Sequence, residues 1–310
     1  MRSISTFLQC FKYMTCRRPF RLLLLSSLFF LLQIFTSCEK FSGDQEIASY
    51  LKIDSISFST DYTVQGSASH SITDAWVYVD GELIGTFPLP ANLPVLKQGS
   101  HVVKILPGIK KDGIAATRIN YPFYNTIEKT VNLIPDGSTS IVGTSTVYNS
   151  QTNFMWQEDF EGATISLDTT PRSSVGIRKT IPGSPLTFER EHSGIVEMDS
   201  TGAFFECLSH QSFNIPNSEV FLEMDFNINN HLTVGIMVYT GSVRYQVPII
   251  TLFDTGGKWK KIYIDLTTSL NAYLGANKFQ VVFGNYKEET VSYAQILLDN
   301  IKLLSIKSGK

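Results

Sequence analysis

The stretch "DAWVYVDGELIGTFPL", residues 74–89, restricts the fold more than any other part of this chain. Side chains along a strand alternate between faces, so Ala75, Val77 and Val79 share one face and Trp76 and Tyr78 the other. Asp80-Gly81 supplies two residues that accept positive φ, as a two-residue type I′ hairpin turn requires. An isolated hairpin with one apolar face is marginal in water and has to pack against another layer. The neighbouring segments supply it. "LKIDSISFS" (51–59), "SHVVKIL" (100–106), "TIEKTVNLI" (126–134) and "TSIVGTSTVY" (139–148) are β-branched runs, with turn signals at Gly99 and Asp136-Gly137. After the polar stretch "TVYNSQTNF" (146–154) a second block begins, with the runs "GAFFECLS", "EVFLEMDFNI", "LTVGIMVYT", "SVRYQVPIITLF", "KWKKIYIDL", "KFQVVFG" and "AQILLDNIKLLSI". None carries a helix-length apolar period. The expectation is an all-β chain of sandwiches or barrels, the second block a jelly roll or related two-sheet sandwich.

The N-terminus is of a different kind. The apolar run 22–35 is short of the about 20 residues that a spanning helix needs. It follows Arg2, Lys12, Arg17, Arg18 and Arg21, and no acidic residue precedes Glu39. This is the pattern of a secretory signal peptide, expected over residues 1–37, with translation starting at Met1 or at Met14. The run ends in "FTSC" (35–38), which resembles the lipobox of bacterial lipoproteins, with Phe35 where that family has Leu. The resemblance implies a lipid anchor at Cys38, a diacylglyceryl group with palmitate among its acyl chains, and a polar tether over 38–46. Chains of that size hold a protein on a membrane without a transmembrane helix. Glu39, rather than Asp, after the cysteine implies the Gram-negative outer membrane, with the cell surface favoured over the periplasmic face.

Removal of residues 1–37 takes five basic and no acidic side chains from totals of 26 and 28, leaving a net charge of −7. With no basic block, nucleic-acid binding is not expected. Of the four cysteines, Cys10 and Cys16 leave with the signal and Cys38 is the lipidation site. Cys207 then has no partner, and its apolar surroundings predict a buried, inert thiol.

Two further resemblances concern the mature chain. "WVYVDGELIGTFPLP", "LPVLKQGSHVVKILPG" and "YNTIEKTVNLIPDGST" are similar to a PEGA-type domain, an Ig-like β-sandwich of bacterial surface proteins, without its signature tetrapeptide. An Ig-like sandwich over 47–148 is implied, acting as a spacer. The insertion "IKKDGIAATRINYPF" (109–123) is read as a solvated loop, its second reading being a surface for an envelope-protein partner. In the second block, "QEDFEG" (157–162), "GKWKKIYIDL" and "LDNIKL" resemble a carbohydrate-binding-module-like jelly roll. That places the jelly-roll β-sandwich over 157–306, a linker over 149–156 and a tail over 307–310. The same resemblance implies a structural calcium on Asp159, Glu161 and Asp299.

No HExxH, GxSxG, Walker loop or CxxC pair is present, and the five histidines have no ligand spacing. Glu223 and Asp225 in "FLEMDFNI" share one strand face, as the carboxylates of sandwich-fold glycosidases do, but the further Glu is missing. Leu222, Met224, Phe226 and Ile228 form the inward face, so the two carboxylates are expected to point outward as ordinary polar residues. No catalytic residue is assigned. Tyr239, Arg244, Tyr245 and Gln246 around the turn Thr240-Gly241-Ser242, joined by Tyr286, combine aromatic faces with polar groups. They are the candidate ligand-binding residues. The expected function is glycan binding at the cell envelope. The alternative is a structural or adhesion component that binds an envelope protein.

Overall fold

In the computed structural model of the chain, residues 47–273 and 275–307 are described. The expected signal peptide, Cys38 and the whole of the expected tether lie outside them. No helix among the described residues is long and apolar enough to cross a membrane.

The first sandwich is built from β1 (Ser49–Ile53), β2 (Ser57–Phe58), the short helix α1 (Tyr62–Gln65), β3 (Asp74–Val79), β4 (Glu82–Pro88), β5 (Ala91–Val95), β6 (Gly99–Lys110), β7 (Arg118–Asn120), β8 (Ile127–Leu133), β9 (Ser138–Ser140) and β10 (Ser145–Thr146). β3 and β4 form the expected hairpin, with Asp80 and Gly81 at φ 51° and 85°. The order β4-β3-β6-β7, with β8 also paired to β6, makes one sheet, and β5-β1-β9 makes the facing one. Between them Leu51, Ile53, Ala75, Val77, Val79, Leu93, Val103 and Ile105 are buried, following the alternation read from the sequence.

The second sandwich comprises β11 (Thr152–Glu158), β12 (Leu167–Thr169), β13 (Arg178–Lys179), β14 (Gly194–Met198), β15 (Phe204–Ser209), β16 (Phe213–Asn214), β17 (Val220–Ile228), β18 (Leu232–Thr240), β19 (Val243–Leu252), β20 (Lys260–Asp265), the helix α2 (Thr267–Asn271), β21 (Lys278–Tyr286) and β22 (Ala294–Ile306). Its sheets run β13-β14-β22-β17-β20, with β11 on β22, and β12-β15-β21-β18-β19, with β16 on β21. Val196, Phe205, Val234, Val281, Phe283 and Leu298 lie in the core between them. Cys207 is buried there too, and desolvation pushes its thiol well above the ordinary range. The chain is therefore all-β, two sandwiches in series. The stretch 149–156, expected as a linker, already enters β11 at Thr152 and pairs with β22.

Two expectations need correction, and they share a cause. The insertion 109–123 is not a solvated loop. Lys111 pairs with Asp265 at 3.2 Å, the Asp112 N–H donates to the Tyr263 carbonyl, and Arg118 pairs with Asp74. Tyr121 and Phe123 are buried with Phe58, Tyr124, Tyr148, Phe221, Tyr263 and Leu304 in an aromatic seam joining the sandwiches. That seam covers the outer face of β17. Glu223 and Asp225 do lie on the face opposite Leu222 and Met224, but they are 0% and 1% exposed. Burying a carboxylate is costly unless it is paired and hydrogen-bonded. Here Tyr121 and Tyr148 each donate to a Glu223 oxygen at 2.8 Å. Ser69 and Asn300 donate to Asp225 at 2.7 and 3.1 Å, and Lys261 lies 3.7 and 3.5 Å from the two carboxylates.

Candidate functional site

The outer face of the sheet containing β15, β21, β18 and β19 carries an open groove. Its shape follows from register. Phe204 lies opposite Tyr286, Glu206 opposite Gly284, and Gly284 opposite Thr233, while Met237 faces Gln246 across β18 and β19. Gly235 and Gly284 leave the floor without side chains, and a Cβ on either would run into the backbone of a neighbouring strand. Two connected troughs of about 320 and 470 Å³ result, sharing Arg172, Glu206 and Gln246.

The floor has a fixed polar centre. Glu206 is 3% exposed, yet both of its oxygens are engaged from groove residues. Thr170 Oγ1 donates to Oε1 at 2.9 Å, and Gln246 Nε2 donates to Oε2 at 3.0 Å. Arg172 stands 3.7 Å from the same carboxylate, with its guanidinium 5.3 Å from the centre of the Phe204 ring. Phe204 and Tyr286 pack with ring centres 4.5 Å apart, and Tyr286 is 58% exposed. The arrangement offers an aromatic ledge at one end, a hydrogen-bonding floor in the middle, and Arg244 with Asp168 at the other end.

The sequence-derived ligand cluster is partly assembled here. Arg244, Gln246 and Tyr286 line the groove. Tyr239 lies across from Arg244 on β18, but its hydroxyl is spent on Gln280. Tyr245 does not belong with them. It pairs with Val238, whose side chain is buried in the core, so it projects from the other side of β19 and packs on Tyr273 at 5.8 Å. Successive strand residues cannot share a face. Sequence reading missed Arg172, Phe204, Glu206 and Thr170. Glu206 gave one signal, an acidic residue inside the apolar run "GAFFECLS".

Asp159, Glu161 and Asp299 are not drawn into one ligand set. Asp159 accepts from Tyr62 and from the Glu161 N–H, and Glu161 accepts the N–H groups of Glu191 and His192. Asp299 accepts from Ser193 and the Asn300 N–H, and burial pushes its carboxyl up to about 8. Calcium takes six to eight oxygens, and among the described residues no group of three or more His, Cys, Asp or Glu side chains is placed to hold an ion.

Neither a protein-family model nor a characterised protein matches the sequence. Solved structures do. The CBM22-2 xylan-binding domain of Xyn10C from Paenibacillus barcinonensis is 14% identical, covering 48% of this chain and 98% of that one at a TM-score of 0.34. A family 11 carbohydrate-binding module from Clostridium thermocellum, in complex with a β-1,3-1,4-mixed-linked tetrasaccharide, is also 14% identical, covering 51% and 98% at 0.34. The K3 cleaved adhesin domain of Lys-gingipain from Porphyromonas gingivalis is 13% identical, covering 49% and 98% at 0.36. None of these values carries a ligand over to this chain.

Proposed function

We propose that this chain is a lipid-anchored cell-envelope protein that binds a glycan in the groove of its second sandwich. One observation carries the reading. A buried carboxylate, Glu206, and the exposed amide of Gln246 that donates to it line the same open trough as the ledge of half-buried Phe204 and exposed Tyr286. A sugar ring presents C–H groups on its faces and hydroxyls around its rim, so it calls for an aromatic surface beside fixed donors and acceptors. Preformed sites of this kind combine apolar surface with a few placed polar groups. The reading is binding without turnover, since Glu223 and Asp225 are sealed in the seam away from the groove. The anchor rests on the basic flank, the short apolar run and "FTSC" ending at Cys38, and the outward-facing outer-membrane placement on Glu39.

Affinity electrophoresis of the full chain through gels containing individual polysaccharides tests the groove. Retardation by one polysaccharide class is expected, and Tyr286→Ala should weaken it about tenfold, the equivalent of roughly 1.4 kcal/mol. Retardation that Tyr286→Ala leaves unchanged would remove the ledge from the account.

A further inference from the structure

We infer that the groove selects an acidic glycan, one bearing uronate carboxylates, which Arg172 and Arg244 receive over the trough that both residues line. This deepens the glycan-binding reading and rests on it. A count of groups whose hydrogen-bond partners are already committed carries it. Glu206 is held by Thr170 and Gln246 within hydrogen-bond distance and by Arg172 at the edge of ion-pair distance. Asp168, the other carboxylate on this trough, faces the Nδ1 of His210 at 3.0 and 3.1 Å. Both acids thus have their partners.

The two guanidiniums keep donors to spare. Arg172 lies 3.7 Å from Glu206, too far for a hydrogen bond, and its side chain is largely exposed above Phe204. Among the described residues no carboxylate lies within ion-pair distance of Arg244, and none of its N–H groups meets an acceptor. Each guanidinium carries five N–H donors in a fixed fork whose geometry matches a carboxylate. Arg244 shares its strand face with Gln246, two residues along β19, and its position faces Tyr239 on β18. Both arginines therefore border the trough that a chain of sugars would follow from the Phe204–Tyr286 ledge. A neutral sugar would offer these donors single hydroxyl oxygens, without a charge or a matching fork. A uronate would take them up.

The test uses the full chain and three uronate-bearing polysaccharides, polygalacturonate, alginate and glucuronoxylan. Each is paired with its carboxyl-reduced form, and a panel of neutral β-glucans and xylans is run beside them. The inference expects at least one acidic polysaccharide to bind about tenfold more tightly than its reduced partner, an advantage that shrinks with added salt. Arg244→Gln and Arg172→Gln should each reduce that advantage while the near-ultraviolet circular dichroism spectrum stays that of the parent. Equal binding of the acidic and reduced forms, or binding to neutral polysaccharides alone, would overturn the inference and leave glycan binding standing. No binding to any member of either set would overturn both.

Discussion

The hydroxyl of Tyr148 donates to Glu223 at 2.8 Å although 75 residues separate them in the chain. Tyr148 belongs to the segment leaving the first sandwich, and Glu223 to a central strand of the second. The same phenol accepts from the Lys302 ammonium at 3.2 Å and lies under it, 5.0 Å from the ring centre. A tyrosine is suited to this place because its ring fills the aromatic seam while its hydroxyl answers a buried charge. Tyr148→Phe keeps the ring and leaves both Glu223 and Lys302 short of a partner. The expected cost is about 1–3 kcal/mol, the penalty for a buried polar group left unsatisfied, read as a lowered urea midpoint with an unchanged m-value. A midpoint within error of the parent would show that the Glu223 contacts contribute nothing net.

Because the seam is buried and shared, the sandwiches should unfold together. Calorimetry on the full chain is expected to give one transition for the described blocks. Tyr121→Ala removes a ring that packs on Phe123, Tyr124, Phe221 and Tyr263, together with the other donor to Glu223. Truncating a buried aromatic costs about 3–5 kcal/mol, so this variant should show two separated transitions. Two transitions in the parent would contradict the coupling.

The buried Asp299 sets a pH dependence whose sign can be stated. Burial raises its carboxyl from 3.8 to about 8, with Asp225 and Glu189 adding to the rise against the hydrogen bonds from Ser193 and the Asn300 N–H. Between those values the folded chain holds a proton that the unfolded chain has lost, so the contribution to stability falls as pH rises through this window. Asp299→Asn cannot ionise. Its melting temperature relative to the parent should therefore climb from pH 4 to about pH 8 and then level off. A constant difference across that range would mean that Asp299 is ionised in the fold.

The depth of the groove depends on missing side chains. A Cβ at Gly284 would lie 2.6 Å from the Phe205 carbonyl oxygen and 3.1 Å from the Glu206 Cα, and neither atom is the mobile end of a side chain. Gly284→Ala should therefore destabilise by about 1–3 kcal/mol, as overpacking does, and weaken glycan binding by moving Glu206. Chemical denaturation and affinity electrophoresis on the same preparation check both parts.

Alternation and turn chemistry made much of the fold legible. The Asp80-Gly81 hairpin, the Gly241-Ser242 turn and the bounds of β18 and β22 follow from local signals. The same alternation placed Glu223 and Asp225 on the correct face of β17. It could not say that another sandwich covers that face, because burial of an outer face is a tertiary fact. Hints of it stood in the sequence: three aromatics crowded into "INYPFYN", and Lys302 inside the apolar run of β22. Lys302 is buried, with its ammonium pushed down to about 7, chiefly by desolvation. The groove was half legible. Arg244 and Gln246 sit two apart on one strand, a spacing that local reasoning handles. Tyr286 was named with them, whereas Arg172, Phe204 and Glu206 come from distant segments that the pairing of β12, β15 and β21 brings beside it.

The most direct test of the account is the location of bound sugar. Backbone amide shifts of the isotopically labelled full chain, followed during titration with an oligosaccharide of the class that retards it, would map the contact surface. The account predicts shifts confined to Arg172, Phe204, Glu206, Gln246, Gly284, Tyr286 and their strand neighbours. Saturable binding whose shifts fall on the first sandwich or on the edge of β20, with the groove unmoved, would contradict it.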